Sequence, residues 1–406
     1  MTRTAAEKRG NVFVLVAGGG VAALETALAL RALAPDLVDV ALLAPEYHFY
    51  YRPLAVAEPF GAGRVRRWEL DDLARGAGAD FVPGELATVD AEARVAELTS
   101  GLRIEYDALV LAIGARPQPA VPGALTFRGP ADVEAMERLL EEMARGEVLR
   151  VVFAVPSGVV WPLPLYELAL LTATELDKRG VDAALSLVTS EPAPLALFGA
   201  EASAAVRDAL ERRGIEVWTS MYPVEAEAGR LTCGQGGPLE ADRVVALPRL
   251  TGPEIAGIPR DRSGFVPTDR HGRVLGVRDV YAAGDLTTFP VKQGGLAAQQ
   301  ADAVAETIAA AAGVAIEPTP FQPVLRALLL TGKEPSFLRV ELGGGHGETS
   351  TASAEPLWWP RGKIVGRYLA PFLAELDVLE VHPEPDQDVL RVELDATRAH
   401  MLGWPR

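Results

Sequence analysis

Cysteine and positive charge are both scarce in this sequence. Cys233 is the single cysteine among 406 residues, so the chain cannot form an internal disulfide, a catalytic dithiol pair or a metal site built from thiolates, and we expect no metal. Lysine and arginine number 39 against 55 aspartate and glutamate residues, which gives a formal net charge of −16. Nucleic-acid binding requires a basic surface that displaces counterions from phosphates, so we expect no nucleic-acid partner.

Long apolar runs are also missing. The longest uncharged run near the middle, residues 151–166, contains three prolines and is shorter than the roughly 20 residues that a membrane-spanning helix needs. The N-terminal residues show no apolar signal core followed by a cleavage site. We therefore expect a cytoplasmic protein without a transmembrane helix, and peripheral attachment to a membrane stays open.

What the sequence does contain is an alternation of strand and helix patterns. Residues 11–17 predict a strand and residues 21–34 a helix, and further strands are expected at 38–43 and 108–113. A similar unit starts near residue 150, with a strand, a proline-rich turn and a helix that ends at Gly180. Such alternation predicts parallel sheets covered on both faces. The expected fold class is α/β, with two Rossmann-like units and a C-terminal α+β region.

The first strand–helix turn carries the clearest chemical signal. Gly18, Gly20 and Ala23 form a Gly-x-Gly-x-x-Ala pattern, which matches the dinucleotide-binding fingerprint. Gly18 permits the tight turn, Gly20 lets a pyrophosphate approach the backbone, and Ala23 lets the helix pack close to the strand. Free N–H groups and the helix dipole then face the phosphates. A merely flexible turn is the alternative, and the strand–turn–helix context favours the fingerprint.

One part of this fingerprint is missing. An acid usually ends the second strand and binds the ribose hydroxyls, but here that strand ends in apolar residues, and Glu46 follows two residues later. We expect either Glu46 or water to take the role. Losing one charge-assisted hydrogen bond costs about 1.5–3 kcal/mol, which a tightly bound cofactor tolerates.

A second signal lies about 260 residues further along the chain. The strand pattern at 280–283 is followed by Gly284 and Asp285. An aspartate at a strand end can accept hydrogen bonds from the hydroxyls of a cofactor, or it can cap a helix. The residues alone favour neither role.

Together with the Ala-Ile-Gly-Ala turn at residues 112–115, these motifs resemble the FAD-dependent pyridine nucleotide-disulfide oxidoreductase superfamily. Its members arrange an N-terminal Gly-x-Gly-x-x-Gly/Ala, a middle Ala-Thr-Gly-like turn and a C-terminal Gly-Asp motif around one FAD. The resemblance covers residues 11 to about 312. It implies an FAD-binding domain of residues 1–120 and 255–315, a second Rossmann-like domain of residues 121–254, and a C-terminal domain of residues 316–406 that covers the flavin.

The resemblance also implies roles for individual residues. Gly18, Gly20 and Ala23 would hold the pyrophosphate, and Asp285 would bind the ribityl or phosphate oxygens. The other implied FAD contacts are Glu46 at the ribose, the backbone of Ala87 at the adenine, Ala112 and Gly114 along the adenosine, and Gln293 and Gly294 at the flavin pyrimidine.

Two departures from the pattern of this superfamily limit the reactions that the chain is expected to catalyse. The turn of the second unit, residues 154–161, has no glycine fingerprint; Pro156 removes an N–H donor and Trp161 would crowd a pyrophosphate, so a nicotinamide cofactor is not expected there. Residues 157–170, 188–199 and 291–303 resemble the sulfide:quinone oxidoreductase and flavocytochrome c sulfide dehydrogenase branch, to which type II NADH:quinone dehydrogenases are related. The sulfide enzymes carry sulfur on paired cysteines at the flavin, and this chain lacks that pair.

Three residues are candidates for catalysis. Lys292 would place a cation near the flavin pyrimidine, where it stabilises the anionic reduced ring; the alternative is a surface lysine. Glu167, if partly buried, would relay protons; the alternative is a carboxylate favoured by a helix N-terminus. Arg52 lies in an aromatic segment that runs along the ring in relatives; the alternative is aromatic packing.

The C-terminal segment predicts a helix with one apolar stripe over residues 364–373 and a kink at Pro371. Two tryptophans at 358–359 and cations at 361, 363 and 367 would suit a helix at a membrane surface. A helix packed on the core, with cations that reach out to solvent, is the favoured alternative. Membrane contact through residues 357–376 and assembly as a homodimer both stay open.

We therefore predict an FAD-dependent oxidoreductase. It would take electrons from a small-molecule donor and pass them through the flavin to a quinone or another small acceptor, without a redox disulfide. A type II NAD(P)H dehydrogenase and a flavin-binding module without turnover are the alternatives.

Overall fold

The structure, a computed structural model, describes residues 10–332, apart from residues 228 and 235, and residues 363–376. It also describes the backbone of three C-terminal strands, Arg339–Leu342, Glu348–Thr351 and Val389–Leu394. The predicted contribution of the tryptophans at 358–359 lies outside the described residues. The helices are α1 (Val21–Leu33), α2 (Leu70–Gly76), α3 (Val133–Ala144), α4 (Leu163–Arg179), α5 (Ala200–Glu211), α6 (Gly294–Ala311) and α7 (Leu369–Glu375).

The first Rossmann unit is built on a parallel sheet of five strands. Their spatial order is Val280–Ala282, Ala108–Leu111, Val12–Ala17, Val38–Ala44 and Asp80–Pro83. The central strands are almost wholly apolar because both faces of the sheet are covered. Helices α1 and α6 pack against one face. A small antiparallel sheet of Leu86–Asp90, Val95–Leu98 and Arg103–Glu105 covers the other.

The second unit repeats this architecture. Its parallel strands lie in the order Leu125–Thr126, Arg243–Ala246, Arg150–Val155, Ala184–Thr189 and Ile215–Trp218. Helices α3, α4 and α5 bury one face in the largest apolar core. Helix α4 ends as the sequence predicts, because Gly180 takes the left-handed conformation (φ +64°) that closes a helix C-terminus. The predicted α/β class with two Rossmann-type sheets is confirmed.

Four further strand pairs and one three-stranded sheet complete the described structure. They are Pro223–Glu227 with Arg230–Cys233 and Leu239–Glu240, Arg116–Gln118 with Arg249–Thr251, His48–Tyr50 with Arg67–Glu69, Leu325–Leu330 with Val389–Leu394, and Arg339–Leu342 with Glu348–Thr351. Cys233 is buried at the end of the strand Arg230–Cys233, directly before the link to its antiparallel partner Leu239–Glu240.

The predicted helix over residues 364–373 is wrong in extent. Helix α7 starts only at Leu369, and Pro371 lies in its first turn, where a missing N–H costs nothing. The residues before it are held by tertiary contacts instead: a Cβ placed on Gly366 would lie 2.5 Å from an oxygen of Glu25. Among the described helices, none has the length and apolar character needed to cross a bilayer.

Candidate active site

The glycine turn between the first strand and α1 has the shape that a pyrophosphate requires. Gly18 has a φ of +136°, and a Cβ there would lie 2.2 Å from the carbonyl oxygen of Ala112. Gly20 caps α1 without any side-chain hydrogen bond, and no atom lies within 4 Å of where its Cβ would be. Ala23 is fully buried under the helix. The N–H groups of Val21, Ala22 and Ala23 make no hydrogen bond with the described residues, so they remain available to an anion.

The turn after the neighbouring strand lies against this one. The N–H of Ala112 donates to the carbonyl of Ala17 at 2.7 Å, and Gly114 has a φ of +73° with open space beside it. Glu46 is exposed just beyond the second strand, and Ala87 is half-buried in Leu86–Asp90. The described structure thus brings Gly18, Gly20 and Ala112 together, and leaves Glu46 on the surface at the sheet's carboxyl edge.

A cavity of about 480 Å³ opens between the two Rossmann units. Six of the residues singled out from the sequence line it: Arg52, Glu167, Asp285, Lys292, Gln293 and Gly294. Apolar side chains of the second unit form the opposite wall, including Val159, Val160, Trp161 and Leu163. Residues separated by more than 200 positions in the chain therefore meet around one cavity.

Asp285 faces this cavity with its hydrogen-bonding capacity unused. It follows the strand Val280–Ala282, and the cap of its helical turn is Ala283, so the capping alternative does not apply. Within the described part of the chain its carboxylate makes no hydrogen bond. Burial raises the pKa of Asp285, against the opposing effect of the positive charges of Lys292 and Arg52. A half-buried acceptor without a partner fits the hydroxyls of a ribityl chain.

Lys292 lines the cavity, and backbone carbonyls hold its side chain in place. Its Nζ donates to the carbonyls of Thr287 at 2.5 Å and Phe289 at 2.7 Å, and lies 3.9 Å from the centre of the Phe265 ring. Burial lowers the pKa of Lys292 to about 8, although Asp285 opposes the shift. The lysine therefore fixes the loop before α6 and adds positive charge beside Asp285.

Gln293 uses its side chain to cap α6. Its Oε1 accepts from the N–H of Leu296 at 2.9 Å, and its Nε2 donates to the carbonyl of Arg326 at 3.2 Å. The N–H groups of Gly294 and Gly295 form no hydrogen bond with the described residues. A ligand at this helix end would thus meet backbone donors, while the Gln293 side chain positions the helix.

The partner of Glu167 was missed by the sequence analysis. Both carboxylate oxygens of Glu167 lie 2.7 Å from Nζ of Lys363, and the N–H of Leu330 donates to Oε1 at 2.9 Å. The two charged side chains are 1% and 6% exposed. Burial raises the pKa of Glu167 and lowers the pKa of Lys363, and each opposes the other's shift. Lys363 was expected to reach out to solvent, and that expectation is wrong.

Two contacts with the first unit hold Lys363 in place. The N–H of Ile364 donates to the hydroxyl of buried Tyr51 at 2.9 Å. The carboxylate of Glu25, fully buried on α1, accepts the N–H groups of Tyr368 at 2.8 Å and Leu369 at 2.7 Å. A buried glutamate in the otherwise apolar pattern of α1 was the available sequence signal for this contact.

The corresponding turn of the second unit lacks the glycine fingerprint, and its helix begins with prolines. Pro162 caps α4, Pro164 lacks an N–H, and the N–H of Leu165 already donates to the carbonyl of Pro162 at 2.9 Å. The Trp161 ring packs 5.7 Å from the ring of Phe198, centre to centre. The start of α4 therefore offers fewer backbone donors to a pyrophosphate than the start of α1.

The acid that follows the second strand of this unit is also engaged. Glu191 accepts hydrogen bonds from the Tyr166 hydroxyl at 2.7 Å, the Thr189 hydroxyl at 2.9 Å and the N–H of Ala196 at 3.2 Å. In a dinucleotide-binding unit, an acid at this position binds a ribose. Here its oxygens are bound within the protein.

The fold and the cavity together define a flavin-dependent oxidoreductase with two Rossmann-type units, of which the first has the open glycine turn. The sequence matches the pyridine nucleotide-disulphide oxidoreductase family over residues 12–311. The chain belongs to that family and is an FAD-dependent enzyme.

Individual relatives agree with this assignment. The chain is 29% identical over 304 residues to an NADH dehydrogenase-like protein of Mycobacterium tuberculosis, covering 67% of this chain and 72% of that protein. It is 28% identical over 304 residues to the sulfide-quinone reductase of Aquifex aeolicus, covering 68% and 69%. The crystal structure of the Aquifex aeolicus sulfide:quinone oxidoreductase superposes with a TM-score of 0.70 at 23% identity, over 79% of this chain and 81% of that one.

Proposed function

We propose that this enzyme passes electrons through FAD to a quinone or another small apolar acceptor held in the cavity, without a redox disulfide. The observation that carries the proposal is the cavity itself, which has one polar side beside Asp285 and Lys292 and one apolar side from the second unit. A flat apolar acceptor gains about 25 cal/mol for each Å² of apolar surface removed from water. The polar side would hold the flavin, and the apolar side would hold the acceptor.

The position of Cys233 supports electron transfer without sulfur chemistry. It is the one cysteine in the chain, it is buried on a small sheet of the second unit, and it does not line the cavity. Burial raises the pKa of its thiol, so little thiolate is present at neutral pH. A donor that leaves sulfur on paired cysteines therefore has no acceptor in this chain.

When bound, FAD supplies the two-electron chemistry, and the chain's own residues supply position and protons. Reduction of a quinone consumes two protons. The ion pair of Glu167 and Lys363 reaches the cavity wall and can exchange a proton across 2.7 Å, because burial moves the two pKa values towards each other. We assign this pair the role of delivering protons to the acceptor.

The competing function is a type II NAD(P)H dehydrogenase, which the name of the mycobacterial relative favours. The turn before α4 weighs against it, because Pro164 and Leu165 offer no free donor and Glu191 is bound to Tyr166. We therefore expect NADH and NADPH to reduce the bound flavin slowly or not at all.

One pair of anaerobic experiments tests both functions. NADH is mixed with the FAD-loaded protein, and the absorbance of the oxidised flavin is followed; fast bleaching would favour the dehydrogenase. In parallel, protein reduced with one equivalent of dithionite is mixed with decylubiquinone. Recovery of the oxidised flavin spectrum within seconds, with formation of quinol, is the expected result, and a flavin that stays reduced would refute quinone as the acceptor.

A further inference from the structure

Four arginines gather beside the mouth of the cavity in a chain that is otherwise acidic. We name Arg52, Arg64, Arg66 and Arg67 the arginine patch. The strands His48–Tyr50 and Arg67–Glu69 pair antiparallel, and the N–H of Tyr51 donates to the carbonyl of Arg66 at 2.9 Å. Because Arg52 follows Tyr51 directly and lines the cavity, the patch is continuous with the cavity wall.

The patch carries unbalanced charge. All four arginines are exposed, and none forms a salt bridge with a residue that the structure describes. Residues 47–68 contain these four arginines and a single carboxylate, Glu58, within a chain of net charge −16. Arg64, Arg66 and Arg67 also line one depression of the surface together with Glu58, which leaves three cations to one carboxylate there. Clustered charges of one sign beside a cleft create a local potential that attracts the opposite sign.

Aromatic side chains surround this charge. Tyr47 is 61% exposed and Tyr50 is 38% exposed, and Tyr50 lies directly opposite Arg67 in the strand pair. Exposed tyrosine beside arginine is the composition that protein–protein interfaces favour, since both residues bury large areas while keeping a polar tip. The surface therefore fits a protein that presents carboxylates.

The flavin also needs an electron donor. A carrier protein can serve as that donor without a nucleotide-binding pocket in the second unit. The turn of the second unit has no glycine fingerprint and its helix begins with prolines, and Cys233 does not line the cavity. A one-electron carrier protein needs only a contact surface close to the flavin. The arginine patch is such a surface, because Arg52 belongs to it and to the cavity wall.

We propose that the arginine patch docks a small acidic electron-carrier protein, which supplies the electrons that leave through the quinone. This inference rests on the proposed function. Two reduced carriers give one electron each, and with two protons they convert one quinone to one quinol and leave two oxidised carriers. Electrostatic steering would make the encounter fast and sensitive to salt.

The test uses the FAD-loaded full chain and a plant-type two-iron ferredoxin, an acidic one-electron carrier, as the probe. The variant R64E/R66E/R67E reverses the patch without touching Arg52. Its matched control, R103E/R212E/R230E, makes the same change of charge at three exposed arginines elsewhere. Stopped-flow reduction of the flavin by prereduced ferredoxin is measured at low and high salt.

We expect the patch variant to lower the second-order rate constant for ferredoxin by about 10–100-fold at low salt, and the control variant to change it less than threefold. Equal effects of the two variants, or a wild-type rate constant that does not fall as the salt concentration rises, would overturn the proposal. So would patch-dependent binding to vesicles containing phosphatidylglycerol when ferredoxin does not react. Reoxidation by decylubiquinone after dithionite reduction is measured on the same samples. If decylubiquinone does not reoxidise the flavin, but ferredoxin reduces the flavin in a way that depends on the arginine patch, quinone is refuted as the acceptor. The proposal that the patch docks a carrier protein is then still supported.

Discussion

Replacing Lys363 with methionine isolates the ion pair at the cavity wall. The substitution keeps a side chain of similar length and removes the charge that both oxygens of Glu167 contact at 2.7 Å. Glu167, 1% exposed, would retain only the N–H of Leu330 as a partner. Removing one partner of a buried ion pair costs about 3–5 kcal/mol, because the remaining charge is left without compensation.

The cost should depend on pH. Without Lys363, burial raises the pKa of Glu167 with only the Leu330 N–H to oppose it. The folded variant therefore keeps a proton that the unfolded chain releases near pH 4.5, and its stability falls further below that of the wild type as pH rises above that value. We expect a loss of about 3–5 kcal/mol at pH 8 and a clearly smaller one at pH 5.

Urea unfolding of the FAD-loaded proteins at both pH values measures this loss. K178M, an exposed lysine on α4, is the matched control and should stay within about 0.5 kcal/mol of the wild type. The double variant E167Q/K363M, which leaves no buried charge, should lose less than K363M alone. Two results would contradict this reasoning. K363M and K178M could lose the same stability, or E167Q/K363M could lose the sum of the losses of E167Q and K363M; in either case the ion pair does not stabilise the fold as a unit.

Two further predictions concern the first Rossmann unit. Gly20→Ala should leave the circular dichroism unchanged, because no protein atom lies within 4 Å of the new Cβ. It should weaken FAD binding about tenfold or more, because a methyl group there blocks the approach of a pyrophosphate. Full FAD occupancy at equal affinity would contradict the placement of the pyrophosphate at this turn. Asp302 shares a hydrogen bond with Glu25. Burial raises the pKa of Asp302 from 3.8 to about 8, and the negative charge of Glu25 adds to this shift. The folded protein thus keeps a proton that the unfolded chain has lost, so stability falls as pH rises from about 4 to about 8, and D302N should flatten this fall in urea midpoints taken across that range.

The sequence could predict those parts of the site that depend on local geometry. Gly18 and Gly20 were recognisable because a tight turn and a close backbone approach leave few other residue choices. The end of α4 at Gly180 was predictable for the same reason. Asp285 could be placed only through its resemblance to a known motif, since its local pattern suited a helix cap equally well.

The parts that could not be predicted depend on contacts between distant segments. Lys363 is 196 positions from Glu167, and nothing near either residue indicates that they meet. The stripe at residues 364–373 predicted a longer helix, but hydrogen bonds to Tyr51 and Glu25 hold the preceding residues in another conformation. The spacing of apolar residues indicates which side chains are buried. It does not indicate which backbone N–H groups a distant carboxylate binds.

The bond between Glu25 and the start of α7 has a consequence for biosynthesis. Glu25 leaves the ribosome early, whereas its hydrogen-bond donors at positions 368 and 369 follow some 340 residues later. The nascent chain can complete the first sheet once Val280–Ala282 has been made. Lys363 is made after that strand, so its ion pair with buried Glu167 can close only once both Rossmann-type sheets are able to form.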